Sequence, residues 1–79
     1  MKIQVKYFAL LGDLAGKMQE DLDCCHQTPE QLYADLKEKY QFPLSPTQMQ
    51  VAINAEYSSW QTPLKAGDEI AFIPPVSGG

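Results

Sequence analysis

Apolar and polar positions alternate from the start of the chain. Ile3, Val5 and Tyr7 fall on one side and Lys2, Gln4 and Lys6 on the other, a period of two that predicts a strand over residues 2–7 with one buried face. Leu10, Leu11 and Leu14 then recur at helical spacing and predict one short helix. Gly12 weakens that helix by about 1 kcal/mol relative to alanine, and Gly16 supplies its end. Residues 19–25 read as a second strand with Leu22 and Cys24 on the buried side. The clearest helix opens at Thr28-Pro29-Glu30-Gln31, where Thr28 can cap, Pro29 suits the first helical position and Gln31 completes a capping box. Leu32, Leu36 and Tyr40 follow on one stripe with Tyr33 beside them, while Glu30, Asp35, Lys37, Glu38 and Lys39 take the solvent side.

Pro43 and Pro46 end this helix and open a loop. Val51-Ala52-Ile53 reads as a strand, Asn54-Ala55-Glu56 as a turn and Tyr57 as the return. Trp60 and Leu64 read as core anchors, Trp60 alternatively as an interface residue. Gly67-Asp68 is a turn, and residues 69–73 form the last strand, with Ile70 and Phe72 on one face and Ala71 and Ile73 on the other. One amphipathic helix must cover one face of a small sheet. This order predicts an α+β chain of the β-grasp type: a mixed sheet under one main helix, with the first and last strands parallel and adjacent. Order alone leaves other α+β topologies open. The predicted division is a domain over residues 1–73 and an extended tail over 74–79.

Composition acts mainly by exclusion. At 79 residues and 44% apolar, the chain has the size and make-up of one globular domain. No apolar run approaches the roughly 20 residues that span a bilayer, and the alternating start lacks the apolar block of a signal peptide. A cytoplasmic protein without membrane association is expected. Net charge is −4 and all six basic residues are lysine. Without arginine or a basic face, nucleic acid is not an expected partner. Glu20, Asp21 and Asp23 form either a solvated face or a patch for a basic partner. Cys24-Cys25-His26 has no second Cys/His cluster to complete a ligand set, so no metal site is expected. One cysteine reads as a core residue, and His26 stands outside any nucleophile–base set.

The ending, Phe72-Ile73-Pro74-Pro75-Val76-Ser77-Gly78-Gly79, has a chemistry of its own. Two prolines fix φ twice and favour an extended path, and residues 74–79 can span about 20 Å. Gly78 and Gly79 carry no Cβ, so the backbone can enter a narrow channel and a catalytic site can approach the last carbonyl from either side. Ile73 and Val76 are apolar next to this arm, which suggests a surface that a partner covers. Ile73 could equally pack on sheet neighbours such as Tyr57, and the glycine pair could be an incidental end. A carboxylate is a poor electrophile, but ATP can convert it to an acyl-adenylate from which a sulfur nucleophile displaces AMP. Attack by a lysine amine would instead make the chain a covalent tag.

The stretch "LKAGDEIAFIPPVSGG", with "KYFALLGDLAG", "TPEQL" and "VAINAEY", resembles the small subunits of molybdopterin synthase, a family of ubiquitin-like β-grasp sulfur carriers. The resemblance implies that Gly79 is adenylated and then thiocarboxylated, with Gly78 giving access. It implies that Pro74, Pro75, Val76 and Ser77 form an arm inserted into a large subunit, and that Ile73 and Tyr57 are apolar contacts beside it. It further implies a heterotetramer with the large subunit, which would hold the pocket, so that the isolated chain is not an enzyme. The implied ATP-dependent activating enzyme resembles a ubiquitin-activating enzyme, and this chain itself binds no cofactor. The sulfur would pass to a cyclic pyranopterin monophosphate on the way to molybdenum cofactor, two charged carriers being consumed per dithiolene. Gly12-Asp13 stands where relatives usually have Arg-Glu, so any contact made by that arginine is absent. The rival readings are a carrier for thiamine or tRNA thiolation, a ubiquitin-like modifier of lysines, and a β-grasp binding module with an incidental Gly-Gly.

Overall fold

In the computed structural model, which describes residues 1–25 and 28–75, the alternation of the first residues is realised as β1 (Lys2–Tyr7), with Ile3, Val5 and Tyr7 buried. The chain continues through α1 (Leu10–Ala15), β2 (Gln19–Asp23), α2 (Pro29–Tyr40), a 3₁₀ turn (Pro46–Gln48), β3 (Gln50–Ile53), β4 (Glu56–Ser58) and β5 (Glu69–Ile73). The strands form one sheet in the order β2-β1-β5-β3-β4. β1 and β5 lie side by side in parallel, with Tyr7 opposite Phe72, and the other pairings are antiparallel. This is the β-grasp arrangement that the pattern predicts. No helix among the described residues is long and apolar enough to cross a membrane.

Local chemistry fixes the element ends. Thr28 Oγ1 accepts a hydrogen bond from the Gln31 amide at 3.3 Å, and Pro29 occupies the first turn of α2. Gln41 ends α2 in the left-handed region, its N–H returning to the Lys37 carbonyl. Gly16 does the same for α1 at φ 75°, with its N–H on the Gly12 carbonyl. A Cβ added at Gly12 would lie 3.3 Å from the Tyr7 carbonyl oxygen, so α1 packs against the end of β1 more closely than a side chain there comfortably allows. The 3₁₀ turn carries a reciprocal cap between Ser45 and Gln48. The sequence predicts only a loop here; Ser45 and Gln48 stand at capping-box spacing and close a short turn within it.

Burial is concentrated between α2 and one face of the sheet. Leu32, Tyr33 and Leu36 meet Ile3, Val5, Tyr7, Val51, Ile53, Ile70 and Phe72 in one cluster. Tyr33 lies at its centre: its ring is 5.2 Å from Phe72 and 5.9 Å from Phe42 between centroids, and its hydroxyl donates to the Leu44 carbonyl at 2.7 Å. Aromatic pairs of this kind contribute about 0.5–1.5 kcal/mol beyond their buried area. Trp60, half-buried, stacks on Phe72 at 5.8 Å and 13°, and Leu64 is buried, so both anchor the connection to the core. Cys24 is also buried, one residue past the end of β2, while Cys25 is exposed.

Candidate functional site

Because α2 covers one face, the second member of each alternation lies on the other. Strand register places Lys6, Ala71, Ala52 and Tyr57 in one row across β1, β5, β3 and β4, with Ile73 opposite Gln50 at the end of β5. The two central positions are alanines, so the row is low in the middle. The result is a hollow of about 320 Å³ walled by Lys6, Phe8, Tyr57, Glu69 and Ile73. Lys6 Nζ and Glu69 Oε1 pair across its rim at 2.9 Å.

A larger groove of about 580 Å³ opens beside it, where β5 runs out. Its walls are Phe8, Ala9, Leu10, Leu44, Ile73, Pro74 and Pro75, none of them charged. The exit of β1 gives the groove its shape. Ala9 stands at φ 51° and ψ −126°, a sparsely populated region for a residue with a Cβ. The bend leaves Phe8 46% and Leu10 43% exposed while Leu11, next along, is fully buried. Large exposed side chains gathered at one end of a sheet mark a surface suited to contact with another protein.

The sequence-predicted site residues divide into two groups. Ile73 is half-buried on the outer face and Tyr57 is 73% exposed; together they help wall the same hollow. Pro74 is buried against the body, and exposure begins at Pro75. The rigid pair is thus partly body and partly arm. Val76, Ser77, Gly78 and Gly79 lie outside the described residues, as does His26.

Phe8, Leu10 and Leu44 were not singled out in the sequence. Two signals pointed to the first two. Tyr7-Phe8 breaks the period of two, so one of the pair must leave the core face. Leu10 and Leu11 also lie about 100° apart, at opposite edges of the helix stripe, so a helix this short can bury one edge and leave the other at the surface. Leu44 gave no such signal, because its exposure depends on where the loop after α2 settles.

A separate polar cluster ties β1, β2 and the end of α2 together. Glu20 accepts hydrogen bonds from the hydroxyls of Tyr7 and Tyr40, the latter at 2.7 Å, and pairs with Lys17 at 3.3 Å. Burial alone would raise the Glu20 carboxyl, but the hydrogen bonds from Tyr7, Tyr40 and Lys17 outweigh it and hold the group below its ordinary value. Burial, and then the bond to Glu20, push the Tyr7 phenol far above its ordinary range. Every donor here is committed to Glu20, and the cluster has the character of a structural clamp. Among the described residues no three His, Cys, Asp or Glu side chains gather as a metal site would require.

Residues 5–79 match the model of the ThiS family. The chain is 32% identical over 80 residues to the molybdopterin synthase sulfur carrier subunit of Escherichia coli (strain K12), covering 98% of this chain and 99% of that one. It superposes on the small archaeal modifier protein SAMP1 of Haloferax volcanii with a TM-score of 0.81 at 27% identity over 100% of both chains. A chain from the complex of subunits 1 and 2 of the molybdopterin-converting factor of Helicobacter pylori 26695 matches with a TM-score of 0.69 at 28% identity, again over 100% of both.

Proposed function

The chain belongs to the ThiS family of sulfur carriers, and from that membership we propose that it is the sulfur-carrying subunit of a molybdopterin synthase, with Gly79 as the reacting residue. The observation that carries this reading is the placement of Pro74-Pro75. The last strand ends beside an uncharged groove, and the sequence beyond it is Val76-Ser77-Gly78-Gly79. The relatives named as sulfur carrier subunits support the choice of pathway.

In the proposed cycle the Gly79 carboxylate attacks the α-phosphorus of ATP on a separate activating enzyme, forming an acyl-adenylate and releasing pyrophosphate. A sulfide-level nucleophile then adds to the acyl carbon and AMP leaves, giving the thiocarboxylate. Docked on a large subunit, with Pro75, Val76 and Ser77 as the arm and Ile73 and Tyr57 as flanking contacts, the carrier passes this sulfur to a cyclic pyranopterin monophosphate. Replacement of sulfur by water's oxygen returns the carboxylate. Gly78 serves by leaving the approach to Gly79 open on both sides. The chain contributes the donor atom and the large subunit contributes the pocket. A dithiolene needs two sulfurs, so two charged carriers are consumed per product, and the carrier assembles with the large subunit as a heterotetramer.

Intact-mass measurement after incubation with ATP, an activating enzyme and a sulfur source tests the reading. The expected result is exchange of one oxygen for sulfur, localised to Gly79. The similarity to a small archaeal modifier protein favours one second reading, in which a lysine amine takes the activated carboxyl and the chain becomes a tag. High-mass adducts on lysine, with no sulfur gained, would select it.

A further inference from the structure

The groove at the end of β5 is larger than the hollow that Ile73 and Tyr57 share, and its far walls have no part in the reading above. Leu10 comes from α1 and Leu44 from the segment between α2 and the 3₁₀ turn, and they stand with Phe8 across from Pro74 and Pro75. Three observations bear on what fills it. First, on the reading that Gly79 carries the sulfur, only residues 76–79 separate Pro75 from the reacting atom, a reach of at most about 14 Å. A protein that takes Gly79 into an interior pocket must therefore press against the walls around Pro75. Second, none of the seven lining residues is charged, which matches the apolar make-up of lasting subunit interfaces more than that of brief encounters. Third, the strained Ala9 holds Phe8 and Leu10 on the surface although Leu11 beside them is buried. Backbone strain of this kind persists only where the surrounding structure enforces it, and such positions cluster at functional sites.

We infer that the groove walled by Phe8, Leu10 and Leu44 is a docking slot for an apolar side chain of the sulfur-accepting second subunit, and that α1, through Leu10, belongs to that interface. The inference rests on the carrier reading and adds residues to it. α1 provides its own control. Leu14 lies one turn after Leu10 on the same helix and is equally exposed, 42% against 43%, but does not line the groove.

The experiment pairs the full chain with the second subunit from the same organism and measures Kd by calorimetric titration for wild type, Leu10→Glu, Leu44→Glu and Leu14→Glu. Melting temperature and activating-enzyme-dependent mass gain are recorded for each. A carboxylate forced into an apolar slot finds no partner there. Leu10→Glu and Leu44→Glu should weaken binding at least about tenfold. Leu14→Glu should bind like wild type, and all variants should fold and charge normally. Equal effects of Leu10→Glu and Leu14→Glu, whether none or large, would overturn the slot while wild-type binding keeps the carrier reading intact. Loss of charging in Leu10→Glu together with normal binding would assign the groove to the activating enzyme and overturn the inference. Failure of the wild-type chain itself to bind the second subunit would remove both.

Discussion

Glu20 shows how one side chain can hold three elements. It sits on β2 but accepts from Tyr7 on β1 and Tyr40 on α2, with Lys17 closing the remaining side. Its carboxyl is held below the ordinary glutamate value of 4.5, so the folded state favours the ionised form. The associated stabilisation is present above that value and is lost as pH falls through the lowered folded pKa. Thermal melts from pH 7 to pH 3 should therefore show a decline that steepens below about pH 4.5. Glu20→Gln should lower the melting temperature at pH 7 and flatten that decline; an unchanged pH profile in the variant would remove Glu20 from the clamp. Tyr7 and Tyr40 read in sequence as ordinary members of apolar stripes. Their hydroxyls depend on a glutamate 13 and 20 residues away, a distance over which periodicity carries no information.

At the scale of elements, period and punctuation sufficed where one face of an element is buried and the other wet. β1, β5 and α2 are of this kind, and Thr28-Pro29 marked the start of α2 because capping chemistry is local. What the pattern did not resolve were places where long-range packing decides. β2 ends at Asp23, two residues short of the expected strand although Cys24 is buried as the pattern predicts, Pro74 is buried, and Phe8 and Leu10 turn outward at Ala9. The β3–β4 hairpin was legible as a turn but not in its conformation. Asn54 and Ala55 both have positive φ, 54° and 69°, the geometry of a two-residue type I′ connection. Asn54 is suited to it and is held there by bonds to Asp68 and Glu69. Ala55 is not, because its Cβ crowds the backbone in this region. Ala55→Gly should relieve that crowding and, after the entropy cost of glycine, raise stability by about 0.5–1 kcal/mol in urea denaturation. A loss of stability would mean that the Ala55 methyl contributes more through the outer hollow it helps line.

For the whole molecule, the site is divided between what the fold presents and what the sequence appends. Ile73 and Tyr57 reach one hollow because strand register brings them there; the sequence resemblance implies only that each is an apolar contact. The groove needed the tertiary arrangement of three separate segments and was invisible along the chain. The appended part should behave independently of the body. Deleting Gly79 should leave the melting temperature within about 1 °C of wild type, since a shift of several degrees corresponds to about 1 kcal/mol in a domain of this size. The same deletion should abolish sulfur loading by intact mass. A marked loss of stability would show that the last residue is part of the packed structure and not a handle.

The position of β5 in the sheet has a mechanical consequence. The strand from which the arm issues is bonded on both edges, to β1 in parallel and to β3 in antiparallel. A pull applied through Pro75 therefore loads two ladders of backbone hydrogen bonds along their length, all at once, whereas an edge strand would peel away bond by bond. On the proposed reading, in which larger partners grip and release the chain's end, this placement lets the end be tugged without unravelling the sheet.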